Sequence, residues 1–89
     1  MKFLHTDLGV VAGGSVVVVR LSGTEANVLL LDDSNLASYR RGQRCQYHGG
    51  HFTRSPARIV VPTTGRWNVI VDLGGYVGTI NASVEVLAA

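Results

Sequence analysis

Cysteine, charge and long apolar runs are all scarce in this 89-residue chain, and each shortage excludes a class of protein. The single cysteine, Cys45, excludes an intrachain disulfide, on which small secreted domains usually depend. Asp7 interrupts the opening segment before a signal peptide could form. The strictly apolar runs at 16–19 and 28–31 are too short to cross a bilayer as helices. We therefore expect a cytoplasmic protein with no membrane association.

The composition indicates one small globular domain, residues 1–89. Hydrophobic residues make up 46% of the chain, enough for a core. Charged residues make up only 16%, against about 25% in an average globular protein. Low charge and many valines favour surplus apolar surface for a partner. A compact sandwich that needs few charges is the alternative interpretation.

Glycine pairs and β-branched segments predict a chain made of short strands. Gly13-Gly14, Gly49-Gly50 and Gly74-Gly75 mark turns, and we expect the middle pair to form a hairpin tip. The segments between the turns are rich in Val, Ile and Leu and often alternate apolar with polar residues. The predicted strands are 3–8, 15–21, 27–31, 44–48, 52–54, 57–61, 66–73 and 79–87.

One short helical segment is expected between the third and fourth strands. Asp33 or Ser34 can cap a helix start, because each carries a side-chain acceptor for a free backbone N–H. Gly42 suits the position just past a helix end, and Arg40 and Arg41 suit the negative end of the helix dipole. We predict one or two helical turns here.

These elements predict an all-β fold, an antiparallel β-sandwich of jelly-roll-like type with about eight short strands. Trp67 lies on an alternating strand and is expected in the core. The runs at 16–19 and 28–31 are apolar at consecutive positions, so both faces of their strands are apolar. Either the helical turn and loops cover the outer face, or a second copy of the chain does.

No metal site is predicted. Cys45, His48 and His51 have zinc-ligand chemistry at close spacing, but the only candidates for a fourth ligand are His5 and Asp7. On a strand over 44–48, Cys45 and His48 would also point to opposite faces. A buried cysteine and two histidines near a hairpin tip account for the pattern.

No catalytic motif is present either, so we expect a protein that is not an enzyme and binds no cofactor. The chain has no Gly-x-Ser-x-Gly elbow, and nothing in the sequence brings its histidines near an acid and a nucleophile. The glycine-rich segment 73–78 is followed by a strand and not a helix, so it lacks the helix N-terminus of a phosphate loop. A hairpin turn is the better interpretation.

Arginine is concentrated in the middle of the chain. Between residues 34 and 66 there are six arginines and no acidic residue, although the net charge is only +2. Such a stretch can bind a polyanion such as nucleic acid, or it can be a solvated surface. Long polar and aromatic side chains gather near the predicted hairpin, so we place the contact surface there. Its residues are Arg40, Arg41, Arg44, Tyr47, His48, His51, Phe52 and Arg54.

The order of short motifs along the chain carries a family resemblance. The motifs are FLHTDL at 3–8, LSG at 21–23, LDDSN at 31–35, YHGG at 47–50, SP at 55–56, GRW at 65–67 and DLGG at 72–75. Together they resemble a family of small bacterial proteins catalogued as domain of unknown function 1883. The resemblance covers nearly the whole chain and implies a bacterial β-sandwich with no assigned activity. It also implies an accessory role, since some members are fused to TIR signalling or effector domains; here that link would act in trans.

The leading hypothesis is therefore a non-catalytic binding or assembly module that contacts a protein partner or a second copy of itself. The alternative is a module for a polyanion or small ligand that uses the same arginines.

Overall fold

The computed structural model describes residues 3–22, 25–74 and 80–89, which form two antiparallel sheets and one helix. The elements are β1 (Phe3–Val11), β2 (Val16–Ser22), β3 (Ala26–Asp32), α1 (Asp33–Arg40), β4 (His48–Phe52), β5 (Ala57–Val60), β6 (Gly65–Asp72) and β7 (Asn81–Leu87). Sheet A has the order β1-β6-β3-β4, and sheet B has the order β5-β2-β7. The predicted all-β antiparallel sandwich is confirmed.

The chain changes sheet at nearly every connection between the described strands. The turn at Gly13 and Gly14 passes from β1 in sheet A to β2 in sheet B, and the Gly14 N–H donates to the Val61 carbonyl at 2.8 Å. Only β3 and β4 follow each other within one sheet. Helix α1 lies in that connection, so it is positioned over the outer face of sheet A.

The main core lies between the two sheets. Valines of β2 at positions 17 and 19 are fully buried and face β3 and β6 side chains such as Leu30 and Val69. Trp67 is 6% exposed in this core, as expected from its strand, and its indole N–H donates to the Thr63 carbonyl at 2.9 Å. Every second residue of β2 and β5 points inward, so the alternate residues lie on the outer face of sheet B.

A second apolar cluster lies on the outer face of sheet A. Leu29, Leu31 and Ile70 project from the sheet, and Leu36 of α1 packs onto them. The partly buried side chains around this cluster are Phe3, Tyr39 and Cys45. The expectation that a helical turn covers one doubly apolar strand is thus confirmed for β3.

The predicted hairpin at Gly49-Gly50 is wrong. Both glycines lie inside β4, where they pair with Leu29 and Val28 of β3. Gly49 has a φ of +106°, and a Cβ there would collide with the Val28 carbonyl oxygen. A close approach between two strands, and not a turn, requires this glycine. The predicted strands 44–48 and 52–54 are therefore replaced by one strand, and seven strands are described instead of eight.

The helix is capped one residue earlier than predicted. Asp32, not Asp33 or Ser34, is the N-cap, and its Oδ1 accepts from the Asn35 backbone N–H at 2.8 Å. Gly42 follows the helix end, as predicted. The expected turn at 73–78 and the start of the strand at Thr79 fall largely outside the described residues.

Candidate interaction surface

A buried carboxylate fastens α1 to sheet A. Asp72 is 6% exposed on β6, and its Oδ2 accepts from the Tyr39 hydroxyl at 2.7 Å. Its Oδ1 accepts from the Asn27 side-chain amide and from the Gly74 N–H, both at 2.9 Å. Burial, followed by the adjacent Asp72 carboxylate, raises the pKa of Tyr39 above its ordinary value, so the phenol remains a donor. Both carboxylate oxygens of Asp72 are therefore hydrogen-bonded within the fold, and one of them holds the helix.

A second polar anchor lies above β1. The His5 Nε2–H donates to the Asn68 side-chain oxygen at 3.0 Å, and the Arg40 guanidinium donates to His5 Nδ1 at 2.9 Å. With these partners, Nε2 of His5 is the donor and Nδ1 is the acceptor. Asn68, only 1% exposed, in turn donates to Asp33 Oδ1 at 2.9 Å.

Charges around this second anchor are compensated within the chain. The hydrogen bond from Asn68, followed by the nearby Arg66, holds the pKa of Asp33 below its ordinary value. Arg66 lies 3.2 Å from Asp33 and 3.6 Å from Asp7. Among the described residues, no buried side-chain polar atom lacks a partner, and no cluster of His, Cys, Asp and Glu could hold a metal. The arrangement stabilises the contact between helix and sheet.

The structure separates Arg40 from the β4 residues of the predicted contact surface. The Arg40 guanidinium reaches β1, whereas His48, His51 and Phe52 lie on β4, at the opposite edge of sheet A. Three strand spacings lie between those edges, about 14 Å at roughly 4.8 Å each.

The β4 residues of that surface make contacts within the fold. His51 Nδ1 donates to the Asn27 side-chain oxygen at 3.1 Å, and its Nε2 lies 3.5 Å from Glu25. The His48 ring lies edge-on to Trp67 at 5.9 Å between centroids, and Phe52 packs against the main core.

The remaining four residues lie at the surface outside the strands. Arg41 follows α1 and donates to Gln43, while Arg44, Tyr47 and Arg54 are exposed on connecting segments. The contact surface around Arg40 to Arg54 stays a prediction.

The six central arginines do not share one face. Arg58 projects outward from β5 in sheet B, because its neighbours Ala57 and Ile59 face the main core. The Arg40 and Arg66 side chains lie on the outer face of sheet A, on the other side of the sandwich.

Sheet B presents a row of exposed apolar side chains that sequence reasoning missed. Val60, Val16 and Leu87 are direct register partners across β5, β2 and β7. Val60 is 60% exposed and Leu87 is 49% exposed. The available signal was that Val60 and Leu87 occupy the outward positions of their alternating strands.

The next row of sheet B is charged at both ends. Val18 lies in register between Arg58 and Glu85, and it is 1% exposed although it belongs to neither apolar cluster. Long charged side chains cover a neighbouring apolar residue with their aliphatic stems. Glu85 is also ion-paired with Arg20 of the central strand.

With the two faces described, the chain can be placed among known proteins. The family model for a domain of unknown function, DUF1883, matches residues 1–89. The chain belongs to the DUF1883 family. No curated protein and no solved structure matches it.

Two further observations on this DUF1883 chain concern small ligands and membranes. A shallow groove of about 270 Å³ is lined by Arg20, Leu21 and Ser22 of β2 and by residues 81–83 of β7. Its one charged side chain, Arg20, is already paired with Glu85, so the groove offers a small ligand little to bind. Within the ranges that the structure describes, no helix is both long and apolar enough to span a membrane.

Proposed function

We propose that this DUF1883 domain is a non-catalytic module that binds protein through the outer face of sheet B. The observation that carries the proposal is the row formed by Val60, Val16 and Leu87. Three apolar side chains stand next to each other on one sheet face, and two of them are about half exposed or more. Contiguous exposed apolar surface on a small domain is typical of a contact site.

The comparison with sheet A supports this choice of surface. There Leu36 covers Leu29, Leu31 and Ile70, and the helix is fastened by Tyr39 and Arg40; on the edge strand β1, Val10 stays exposed. The polar groups of that face are engaged with each other, so a partner would have to break existing hydrogen bonds. A partner on sheet B would remove apolar surface from water at about 25 cal/mol per Å² without that cost.

The arginine-based alternative has weaker support. Arg58 lies on the face opposite to Arg40 and Arg66, and Arg66 is neutralised by Asp33 and Asp7. A polyanion would therefore not meet one continuous basic surface.

We place the module in the bacterial cytoplasm. Cys45 is free and half-buried, which suits a reducing compartment. The bacterial setting comes from the family resemblance.

Photo-crosslinking in the source cells tests the contact surface. A photoreactive amino acid replaces Val60 in one strain and Ser34 in a control strain; Ser34 is exposed on α1, over the opposite face. We expect a discrete crosslinked product from position 60 and none from position 34. Absence of a product at position 60, or equal products at both positions, would overturn the proposal.

A further inference from the structure

Among the four edges that the described strands form, the β7 edge of sheet B is the regular one. β1 has a bulge after Asp7, β4 contains two glycines at positive φ, and β5 is only four residues long. Short strands, bulges and irregular backbone are the means by which natural sheets keep an edge from pairing with other chains. β7 spans seven residues, has neither Gly nor Pro, and pairs with β2 without a break in register.

β7 therefore presents regular backbone N–H and C=O groups at its outer edge. One edge of β7 pairs with β2, and no described strand pairs with the other. The one charged side chain of β7, Glu85, points to the outer face of the sheet, where it is paired with Arg20. An extended polypeptide is the partner that satisfies the alternating donors and acceptors of a strand edge.

Two apolar side chains that face inward are left exposed beside this edge. Val86 is the register partner of Val17, a residue of the main core, so it faces inward, yet it is 39% exposed. Leu4 of β1 is the register partner of Val71, which is also in the main core, and it is 43% exposed. Val17 and Val71 themselves are buried. Sheet B thus covers β6 but leaves the inner face of β1 open.

The two sheets are therefore offset on this side of the sandwich. Sheet A has four strands and sheet B has three, and on the opposite side β4 and β5 are in contact. On the β7 side, the inward-facing Leu4 and Thr6 of β1 are both exposed. One further strand beside β7, at the usual spacing of about 4.8 Å, would lie over β1 and cover Leu4 and Val86.

We propose that the β7 edge binds a single extended segment of a partner protein, which joins sheet B as its fourth strand. The segment pairs antiparallel with β7, the slightly more stable orientation, through backbone hydrogen bonds. Successive side chains of a strand point to opposite faces, so every second residue of the segment is apolar and faces Leu4. This edge is separate from the outer row of Val60, Val16 and Leu87, so the inference goes beyond the proposed function.

A second copy of this chain fits the edge less well. If two β7 edges paired about a two-fold axis, the protruding β1 strands of the two copies would occupy the same place. Alternatively, β1 of a second copy could enter beside β7 about an axis along the strands. β1 turns tightly into β2, which is antiparallel to β7, so β1 and β7 run in the same direction. That pairing would be parallel, and the bulge after Asp7 would interrupt it.

Hydrogen exchange tests the backbone pairing on the wild-type domain. The probe is the tightest binder selected from a displayed library of random peptides of about ten residues, the length of one long strand. We expect its sequence to alternate apolar and polar residues. Its binding should slow exchange at every second amide between residues 81 and 87, those that point away from β2, as followed by NMR. A library that yields no binder, or a binder that slows none of these amides, would overturn the inference.

Two matched pairs of variants test the position of the bound segment. Val86→Lys and Leu4→Lys each place a charge where the segment should bury apolar surface, so each should weaken binding of the selected peptide at least about tenfold. Leu87→Lys and Val10→Lys make the same change on the opposite faces of the same two strands. These controls should stay within about twofold of wild type. NMR spectra of the free variants check that all four are folded.

The remaining outcomes separate this inference from the proposed function. If Leu87→Lys weakens binding and Val86→Lys does not, the peptide lies on the outer face of sheet B; the edge site is then wrong, and the proposed function stands. If the wild type alone at about 1 mM protects the same β7 amides, a second copy occupies the edge and the assigned partner is wrong. Crosslinking from position 60 tests the outer face in either case.

Discussion

The outer faces of the two sheets begin from the same sequence feature and end differently. The central strands β2 and β3 each carry four consecutive apolar residues, so each has apolar side chains on both sides. In sheet A the chain inserts α1 between β3 and β4, and Leu36 covers the exposed side. In sheet B no described element takes that place, and Val60 and Leu87 remain exposed. A doubly apolar strand therefore indicates that something covers it, and the connection that follows shows whether the chain supplies the cover.

The polar groups of the two faces differ in the same way. On sheet A, Asp72, Asn68 and Asp33 are all satisfied by side chains that also hold the helix. On sheet B the charged row contains a paired Glu85 and, within the described ranges, an unpaired Arg58. The middle of one face is covered within the chain, whereas the other face keeps charge and apolar surface that a second molecule can match.

Truncating the helix contact should have the largest effect. Leu36→Ala leaves a cavity against Leu31 and Ile70, and we expect the free energy of unfolding to fall by about 3 kcal/mol. Leu87→Ala, the same change on the outer face of sheet B, should cost the monomer less than about 0.5 kcal/mol. Urea unfolding at low protein concentration measures both. Similar losses would mean that the two faces are equally covered and would contradict the comparison.

Removing the phenol of Tyr39 should have the next largest effect. Tyr39→Phe leaves buried Asp72 without one of its donors and should lower the free energy of unfolding by about 1–2 kcal/mol. Tyr47→Phe, at an exposed tyrosine, is the matched control and should change stability by less than about 0.5 kcal/mol. Urea unfolding compares the two variants, and equal losses would show that the bond to Asp72 contributes nothing.

The raised pKa of Tyr39 also predicts a loss of stability at alkaline pH. Because this pKa is raised in the folded state, the contribution of Tyr39 to the free energy of unfolding is complete below the ordinary pKa near 10. That contribution is lost as the pH rises above this value. The stability of the wild type should therefore fall more steeply above about pH 10 than that of Tyr39→Phe. Identical slopes in urea titrations at pH 9 and pH 11 would show that the phenol does not titrate with folding.

A change on sheet B should affect association and leave the monomer intact. Val60→Thr keeps the β-branched shape and makes the apolar row more polar, so monomer stability should change by less than about 0.5 kcal/mol. The partner captured by crosslinking at position 60 should raise the melting temperature of the wild type, because its binding stabilises the folded chain. That rise should be smaller in Val60→Thr, and an unchanged rise would place the contact elsewhere.

The smallest expected effect concerns Asp33. The hydrogen bond from Asn68 lowers the pKa of Asp33 in the folded state. The contribution of Asp33 to the free energy of unfolding is therefore present above the ordinary pKa of 3.8 and is lost as the pH falls below that value. Because Asp33 is exposed, the effect is small. Asp33→Asn should flatten the acid side of the stability profile slightly, and an unchanged profile between pH 5 and pH 2 would refute this role.

Strand periodicity made much of the fold predictable. Alternation over 66–73 and 79–87 predicted β6 and β7, and the position of Trp67 predicted its burial. The helix between the third and fourth strands was also predictable, because Gly42 and the basic pair before it give a local end signal. All of these signals depend on neighbours within a few residues.

The errors came from long-range contacts. Gly49 has the local signature of a turn, and only its close approach to the Val28 carbonyl makes it a strand residue. The contact surface predicted near that supposed turn stays a prediction; the structure places Phe52 against the main core and bonds His51 to Asn27. The sequence did not single out Val60 and Leu87, because they form an apolar row only as register partners of Val16.

The sequence by itself determined that this chain is a small all-β domain with one short helix and with more apolar strand surface than a simple sandwich hides. Periodicity and turn residues determine those properties locally. Only the tertiary structure decided which face the helix covers and which face keeps its apolar row. That choice depends on strand order and register, which bring together residues far apart in the chain, such as Val16 and Leu87.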